Sequence, residues 1–140
     1  MFILIVGAGR VGSASAKRAL EAGHDVSVLD TDPLSHERLD KDLLTTWEDA
    51  GGRFTVGTAL EVDALIAAGI EEADVFIAST RGDNTNLVIA QIAQRRFNVP
   101  RVVVVVRDPG RAAWYAERGL HTICPTQQAI EMVEQAAFAT

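Results

Sequence analysis

The residue types best suited to binding chemistry form the turn at residues 7–12, which reads Gly-Ala-Gly-Arg-Val-Gly. An apolar run at residues 2–6 leads into this turn, and a helical pattern of alanines leads out of it. In such a unit Gly7 permits the tight turn, Gly9 lacks the Cβ that would keep a pyrophosphate away, and Gly12 lets the helix pack on the sheet. The free N–H groups and the positive dipole end of the helix then face an anion. The turn therefore predicts a phosphate-binding site.

An acidic residue follows where a ribose would lie. A second apolar run, residues 26–29, ends at Asp30, at about the distance from the glycines where a ribose-binding carboxylate is expected. Asp30 would accept hydrogen bonds from ribose hydroxyls and would repel a 2′-phosphate. The pattern favours NAD(H) or a plain adenine nucleotide over NADP(H). The alternative is a tight turn in an α/β protein whose site is empty.

Composition limits the function classes that this chain can belong to. Its 140 residues suffice for one domain with a full core. With 48% hydrophobic residues and no run long enough to cross a bilayer, we expect no direct membrane insertion. A net charge of −6 argues against nucleic acid as a partner. The single cysteine excludes an internal disulfide and fits a reducing, cytoplasmic compartment.

Apolar runs and helical patterns alternate six times along the chain. This alternation predicts an α/β fold, a Rossmann-like doubly wound parallel six-stranded sheet in a single domain. The expected strands are residues 2–6, 26–29, 53–56, 74–78, 102–106 and 122–124. The expected helices include a second helix over residues 34–47, a third that Gly69 ends, and a closing helix at about 126–139.

The segments after the predicted strands share one composition. Ligands of such sheets lie outside the carboxyl ends of the strands. All the segments at that edge are rich in glycine or polar residues: 7–12, 30–32, 57–59, 79–84 and 107–108. Sequence pattern and expected topology therefore agree on one edge of the sheet as the site.

Four segments resemble the regulator of potassium conductance domain family, also called KTN or TrkA-N. They are the glycine turn at 7–12, Leu-Ile-Ala-Ala-Gly-Ile-Glu-Glu-Ala-Asp-Val-Phe-Ile-Ala at 65–78, Asp-Asn-Thr-Asn-Leu at 83–87 and Asp-Pro at 108–109. The second segment is the most specific, because it is not a general feature of dehydrogenases. The resemblance covers essentially the whole chain.

The resemblance implies a regulatory function and no enzymatic activity. Members of this family bind NAD(H), ATP or ADP at the glycine turn, dimerise, and transmit nucleotide-dependent movement to a potassium channel or transporter in the membrane. The chain is thus expected to be a cytoplasmic nucleotide-sensing subunit of a potassium uptake transporter or channel, placed at the inner face of the membrane through its partner. The family's nucleotide lobe is often followed by a smaller regulatory lobe, so we expect either an isolated lobe or a naturally short form.

The resemblance also implies roles for individual residues. The three glycines would hold phosphate, Arg10 would reach the terminal phosphates, and Asp30 would bind ribose. Asp32, Thr58 and Ala59 would lie near the adenosine, while Ser79, Thr80 and Asn86 would close the far side. The full expected set is Gly7, Ala8, Gly9, Arg10, Val11, Gly12, Asp30, Thr31, Asp32, Thr58, Ala59, Ser79, Thr80, Asn86 and Arg107.

Two departures from the family pattern concern charge. Thr58 stands where the family has an aspartate that faces the adenine. Val105 stands where an arginine is frequent, and Arg107 stands where the family has an asparagine. Arg107 is therefore a candidate substitute for the missing positive charge.

The closing helix has apolar residues on more than one narrow stripe, which predicts a dimer interface along it. Two other functions remain open. One is an NAD-dependent oxidoreductase or its detached cofactor domain, although hydride transfer needs an acid or base beside the substrate and none of the three histidines falls at the predicted edge. The other is a structural lobe whose site has decayed.

Overall fold

The computed structural model describes residues 1–139, which form one six-stranded parallel sheet flanked by helices. The strands are β1 (Phe2–Val6), β2 (Asp25–Asp30), β3 (Arg53–Val56), β4 (Val75–Ala78), β5 (Arg101–Val105) and β6 (His121–Ile123), in the spatial order β3-β2-β1-β4-β5-β6. The helices are α1 (Arg10–Glu21), α2 (His36–Asp40), α3 (Val62–Ala68), α4 (Asp83–Arg95), α5 (Pro109–Ala116) and α6 (Pro125–Ala137). The predicted Rossmann-like doubly wound architecture is confirmed. The strand order reverses between β1 and β4, which makes the carboxyl ends of these two strands the switch point of the sheet.

The central strand β1 is buried on both faces of the sheet. Ile3 and Ile5 pack into a core cluster with α1, while Leu4 and Val6 pack into a larger cluster on the opposite face with α3, α4 and α5. Successive side chains of a strand point to opposite faces, so a continuous apolar run is what a sheet covered on both sides requires. The strand ends, and not its faces, are therefore available to a ligand.

The second helix is much shorter than the sequence predicts. A short 3-10 turn at Pro33–Ser35 leads into α2, and α2 ends at Asp40. The Asp40 carboxylate accepts a hydrogen bond from the Trp47 amide at 2.8 Å, and Asp42 adopts a left-handed backbone with φ 64°. This side-chain bond to the backbone competes with helix continuation. The apolar spacing over residues 34–47 was misleading, because Trp47 is fully buried from a loop while Leu44 is fully exposed.

The closing helix α6 has no buried residue. Its large apolar side chains are half or more exposed, namely Ile130, Met132 and Val133, and Phe138 after its last turn is 71% exposed. Between residues 1 and 139, we find no helix whose length and apolar character together would let it cross a bilayer. The helix is thus an uncovered apolar surface at the end of the fold.

A histidine bridges α2 to the loop that follows it. His36 Nδ1 lies 3.1 Å from the Asp40 carboxylate, and its Nε2 bonds to the Glu48 carboxylate. The hydrogen bond to Glu48 is the main cause that raises the pKa of His36 above its ordinary 6.5, with the charges of both acids adding to it and partial desolvation opposing it. The ring edge also contacts the face of Phe54, with 5.3 Å between ring centroids.

This bridge makes part of the stability depend on pH. Because the folded pKa is raised, the contribution of His36 is fully present below about pH 6.5 and is lost as the pH rises through the folded value. We expect His36→Gln to lower the free energy of unfolding by about 0.5–1 kcal/mol more at acidic than at alkaline pH, within the range where both carboxylates stay ionised. Urea unfolding at the two pH values would measure this difference. His121→Gln, at an exposed position, is the control, and an equal loss for His36→Gln at both pH values would contradict the expectation.

Candidate functional site

A cleft of about 830 Å³ opens at the carboxyl edge of the sheet, at the switch point. This volume lies within the range of small-molecule sites. Its walls come from the ends of four neighbouring strands, β1 to β4, and from the segment after β5. Its lining residues are Val6, Gly7, Gly9, Arg10, Val11, Leu29, Asp30, Thr31, Asp32, Ser35, Arg38, Gly57, Thr58, Ala59, Leu60, Ser79, Thr80, Arg81, Gly82, Thr85 and Arg107.

The three glycines of the turn differ in what surrounds them. A Cβ on Gly12 would lie 1.7 Å from the Gly7 carbonyl oxygen, and a Cβ on Gly7, whose φ is +100°, would lie 2.6 Å from the Ser79 oxygen. A Cβ on Gly9 would meet no protein atom within 4 Å. Gly7 and Gly12 are therefore required by packing, whereas Gly9 leaves open space on the cleft side of the backbone.

The amino end of α1 borders this open space. Gly9 is its N-cap and offers no side chain to cap the first amides. The first helical bond is donated by the Ser13 amide to the Gly9 carbonyl at 2.9 Å, so the amides of Arg10 to Gly12 have no partner within the helix. Uncapped amides together with the helix dipole attract an anion.

Asp30 connects the end of β2 to the glycine turn. Its Oδ2 accepts a hydrogen bond from the Ala8 amide at 2.7 Å, and its Oδ1 accepts one from the Asp32 amide at 2.8 Å. Each carboxylate oxygen keeps further acceptor capacity. The carboxylate therefore lies against the turn and fixes the backbone of both segments.

The opposite wall of the cleft is supported from beneath by Asn86. This side chain is fully buried, donates to the carbonyls of Thr80 at 3.1 Å and Val105 at 2.9 Å, and accepts from the Thr80 amide and hydroxyl. The Ser79 hydroxyl donates to the carbonyls of Val6 and Gly7 at 3.0 and 3.2 Å. Asn86 thus positions the wall and does not line the cleft.

Arg107 and Asp83 join the same wall to the end of β5. Arg107 Nη1 donates to the carbonyls of Thr80 at 2.8 Å and Arg81 at 3.2 Å. The Asp83 carboxylate accepts from the amides of Arg107 and Asp108. Gly82 is the N-cap residue of α4, and Asp83 in the first turn connects α4 to the segment after β5.

The comparison with known families shows which family this chain belongs to. The TrkA-N domain family matches residues 3–126. The chain belongs to the TrkA-N domain family. The resemblance found in the sequence is confirmed.

Relatives and solved structures agree with this assignment. The chain is 42% identical over 123 residues to the Trk system potassium uptake protein TrkA of Streptomyces coelicolor, covering 88% of this chain and 52% of that protein. The TrkA-N domain of the inner membrane protein ybaL from Escherichia coli superposes with a TM-score of 0.80 at 19% identity, covering 97% of this chain and 96% of that one. The AMP-bound Kef CTD of Shewanella denitrificans gives a TM-score of 0.76 at 22% identity, covering 97% and 79%. This TrkA-N domain spans about half the length of the Streptomyces coelicolor and Mycobacterium tuberculosis relatives, and 22% of the length of the Azorhizobium caulinodans relative.

Most of the positions expected from sequence line the cleft of this TrkA-N domain. Those that do so are Gly7, Gly9, Arg10, Val11, Asp30, Thr31, Asp32, Thr58, Ala59, Ser79, Thr80 and Arg107. The other three expected positions, Ala8, Gly12 and Asn86, do not. Ala8 has a fully buried side chain and an amide already bonded to Asp30, so it contributes to the turn and not to the lining.

Sequence reasoning missed a group of lining residues, of which Arg38 is the most consequential. Arg38 Nη1 lies 3.3 Å from the Ala8 carbonyl and 3.4 Å from the Ser35 hydroxyl. The other polar positions that were missed are Ser35 and Thr85. Arg81 and Gly82 also line the cleft; their segment, 79–84, was expected at this edge, but neither residue was named as a site residue. The only signal for Arg38 was its place in the helical segment after β2, and nothing in the local pattern distinguished it from a solvated arginine.

The cleft lining has a net positive charge, although the whole chain has a net negative charge. The lining contains four arginines, Arg10, Arg38, Arg81 and Arg107, and two acids, Asp30 and Asp32. Within residues 1–139 the ion pairs involve His36 and Arg118, so none of the four arginines has a carboxylate within 4.0 Å. An acidic protein, with a net charge of −6, therefore has a cationic cleft, which suits an anionic ligand.

The glycine turn allows a sharp test of packing. We expect Gly12→Ala to destabilise the fold by about 3 kcal/mol or more, because the added Cβ collides with a backbone oxygen that cannot move freely. Gly9→Ala is the matched control and should cost less than about 1 kcal/mol, since its Cβ meets open space. Chemical unfolding of both variants would measure this. Similar losses for the two would show that the turn is not packed as described.

Proposed function

We propose that the cleft binds an adenine nucleotide or dinucleotide, either NAD(H) or ATP/ADP. The observation on which this depends is the open space over Gly9, bounded by the uncapped amides of α1 on one side and by Asp30 on the other. The amides would hold phosphate and Asp30 would accept bonds from ribose hydroxyls. Thr31, Asp32, Thr58 and Ala59 would surround the adenosine, and Arg10 and Arg107 would approach the phosphates.

The domain would act as a sensor and not as an enzyme. Relatives of this chain are named potassium uptake proteins of the Trk system, and the Kef CTD of similar fold is described as AMP-bound. We infer a cytoplasmic, nucleotide-sensing regulatory subunit of a potassium uptake transporter or potassium channel, held at the inner face of the membrane by that partner. Nucleotide would bias two arrangements of the assembly through its different affinity for each.

The exposed helix α6 would supply the interface between two copies. Ile130, Val133 and Ala137 are spaced so that they share one side of the helix, and none of them is covered by the rest of the chain. A second copy offers the same stripe, so an isologous contact buries both. A homodimer, or a higher assembly of such dimers, follows.

Nucleotide binding is tested by calorimetry on the whole chain. We expect Gly9→Val and Asp30→Asn each to weaken binding of NADH, ATP and ADP by about tenfold or more, because one fills the phosphate space and the other removes the ribose acceptor's charge. Gly110→Val and Asp25→Asn are matched controls outside the cleft, and they should bind as the wild type does. No nucleotide binding by the wild type would contradict the proposal. Turnover of NADH with an electron acceptor would favour the oxidoreductase alternative instead.

The assembly is tested independently of ligand. We expect Val133→Glu to shift the chain from dimer to monomer in sedimentation velocity, because a charge would be desolvated in the interface. Gln135→Glu, on the same helix, is the control for charge alone. A wild type that is monomeric at the highest accessible concentration would rule out the interface.

A further inference from the structure

Among residues 1–139, a single group of three metal-ligating side chains comes together, and it lies outside the cleft. His36, Asp40 and Glu48 each offer one nitrogen or carboxylate oxygen, and these three donor atoms lie within 4.8 Å of one another. None of the three residues lines the cleft. We propose that they bind one divalent transition-metal ion, such as Zn²⁺, which joins α2 to the loop at residues 41–52. This site is independent of the proposed nucleotide site.

The three ligands come from two neighbouring segments of the chain. His36 and Asp40 are the first and last residues of α2, one helical turn apart, so they share one side of the helix. Glu48 belongs to the loop that follows, and its carboxylate bonds to Nε2 of His36. Nδ1 of the same ring lies 3.1 Å from Oδ2 of Asp40. Two carboxylates from different segments therefore converge on one imidazole.

The distances within this group are close to those around a single ion. Zn²⁺ bonds to imidazole nitrogen and carboxylate oxygen at about 2.0–2.2 Å, so its ligand atoms lie about 3–4 Å apart. Donor atoms within 4.8 Å of one another reach that separation through side-chain movements of about 1 Å. The side chains of Asp40 and Glu48 are 38% and 50% exposed, so they can move, and water can complete the coordination. One ring nitrogen of His36 binds the ion and the other keeps its hydrogen atom.

Residues of the core hold two of the ligands in place. The buried Trp47 donates its amide to Oδ1 of Asp40 at 2.8 Å, which leaves Oδ2 beside the imidazole. Trp47 is itself anchored by a hydrogen bond from its Nε1 to the Arg53 carbonyl at 2.9 Å. The His36 ring packs against the Phe54 ring of β3, with 5.3 Å between the centroids and 78° between the planes. Outer contacts of this kind orient the ligands of metal sites.

The types of donor atom select the class of ion. Ligation requires a neutral imidazole and ionised carboxylates, so the group then presents two negative charges and one nitrogen lone pair. Within the described part of the chain, no lysine or arginine lies within 4.0 Å of either carboxylate to neutralise it. Ca²⁺ and Mg²⁺ prefer oxygen ligands alone, whereas imidazole suits Zn²⁺ and other transition metals. The group therefore fits a divalent transition-metal ion.

Calorimetry on the complete 140-residue chain, without nucleotide, tests the site. Zn²⁺, Co²⁺, Mg²⁺ and Ca²⁺ would be titrated separately at about pH 8, because the imidazole must be neutral to bind an ion. We expect one Zn²⁺ or Co²⁺ per chain, and binding of Mg²⁺ and Ca²⁺ that is weaker by about tenfold or more. Zn²⁺ should also raise the temperature of thermal unfolding, because the ion binds the folded chain.

Variants assign the ion to this group. We expect His36→Gln and Glu48→Gln each to weaken Zn²⁺ binding by about tenfold or more, since each removes one ligand. Asp49→Asn, at an exposed acid of the same loop, and His121→Gln, at an exposed histidine, are matched controls that should change the affinity less than about twofold. Co²⁺, which is paramagnetic, should shift or broaden the NMR resonances of the His36 ring and leave those of His121 unchanged.

A different position of the ion would also be recognised. The Met1 amino group lies 3.3 Å from Nδ1 of His24, and this pair is the alternative place for a metal. Loss of Zn²⁺ binding in His24→Gln, with binding kept in His36→Gln, would assign the ion to that pair and overturn the proposal. So would absence of Zn²⁺ binding by the wild type, unchanged binding in both His36→Gln and Glu48→Gln, or Mg²⁺ binding as tight as that of Zn²⁺. None of these results bears on nucleotide binding.

Discussion

The contact between Gly12 and the Gly7 carbonyl is the constraint on which the site depends. There is no room for a Cβ at this point, so α1 starts directly against the end of β1. Its first amides consequently face the cleft at the switch point of the sheet. Asp30 then holds the intervening backbone through the Ala8 amide, so the geometry of the turn is fixed from both sides. The space over Gly9 stays open because Gly7 and Gly12, on either side of it in the turn, are packed closely against the rest of the protein.

The charge of the cleft adds selectivity that the backbone alone would not provide. Backbone amides attract any small anion, but a chain with a net charge of −6 repels extended polyanions such as nucleic acid. The four lining arginines concentrate positive potential inside a concave site with low-dielectric walls. A small anion that enters this region meets the arginines, whereas an extended polyanion also meets the net negative charge of the rest of the chain. Thr58, which stands where the resemblance led us to expect an aspartate, gives the same lining one negative charge fewer than expected.

The strands and the glycine turn could be predicted from the sequence because their local residue pattern directly reflects their place in the folded domain. The apolar runs are unambiguous because a parallel strand covered on both faces has no polar face. The glycine spacing is explicit because Gly7 and Gly12 have no room for a Cβ, while Gly9 leaves the cleft side of the backbone open. The segment after Asp40 could not be predicted, since the carboxylate bond to the Trp47 amide and the left-handed backbone of Asp42 leave no trace in the apolar periodicity. Asn86 was placed at the far side of the site by the family resemblance, whereas in the structure its amide is consumed by bonds to Thr80 and Val105. Arg38 was missed because α2 places it in the cleft through tertiary packing alone.

The contacts of Arg107 connect the cleft to the helix that is free to meet another copy. Its guanidinium bonds to the wall at Thr80, and its carbonyl accepts from the Cys124 thiol, whose sulfur also caps the first turn of α6. An anion could replace the Thr80 and Arg81 carbonyls as the hydrogen-bond partner of the Arg107 guanidinium. The backbone of Arg107, by contrast, is held in place by the neighbouring strands β5 and β6. A ligand that competed for this guanidinium would alter the cleft wall, and the backbone carbonyl of the same residue contacts the Cys124 thiol at the start of α6. Such a connection can regulate a partner only if the two arrangements of the assembly bind the ligand with different affinities. The Arg107 side chain would supply that difference, because its guanidinium would bond to the carbonyls without ligand and to the anion when ligand is bound.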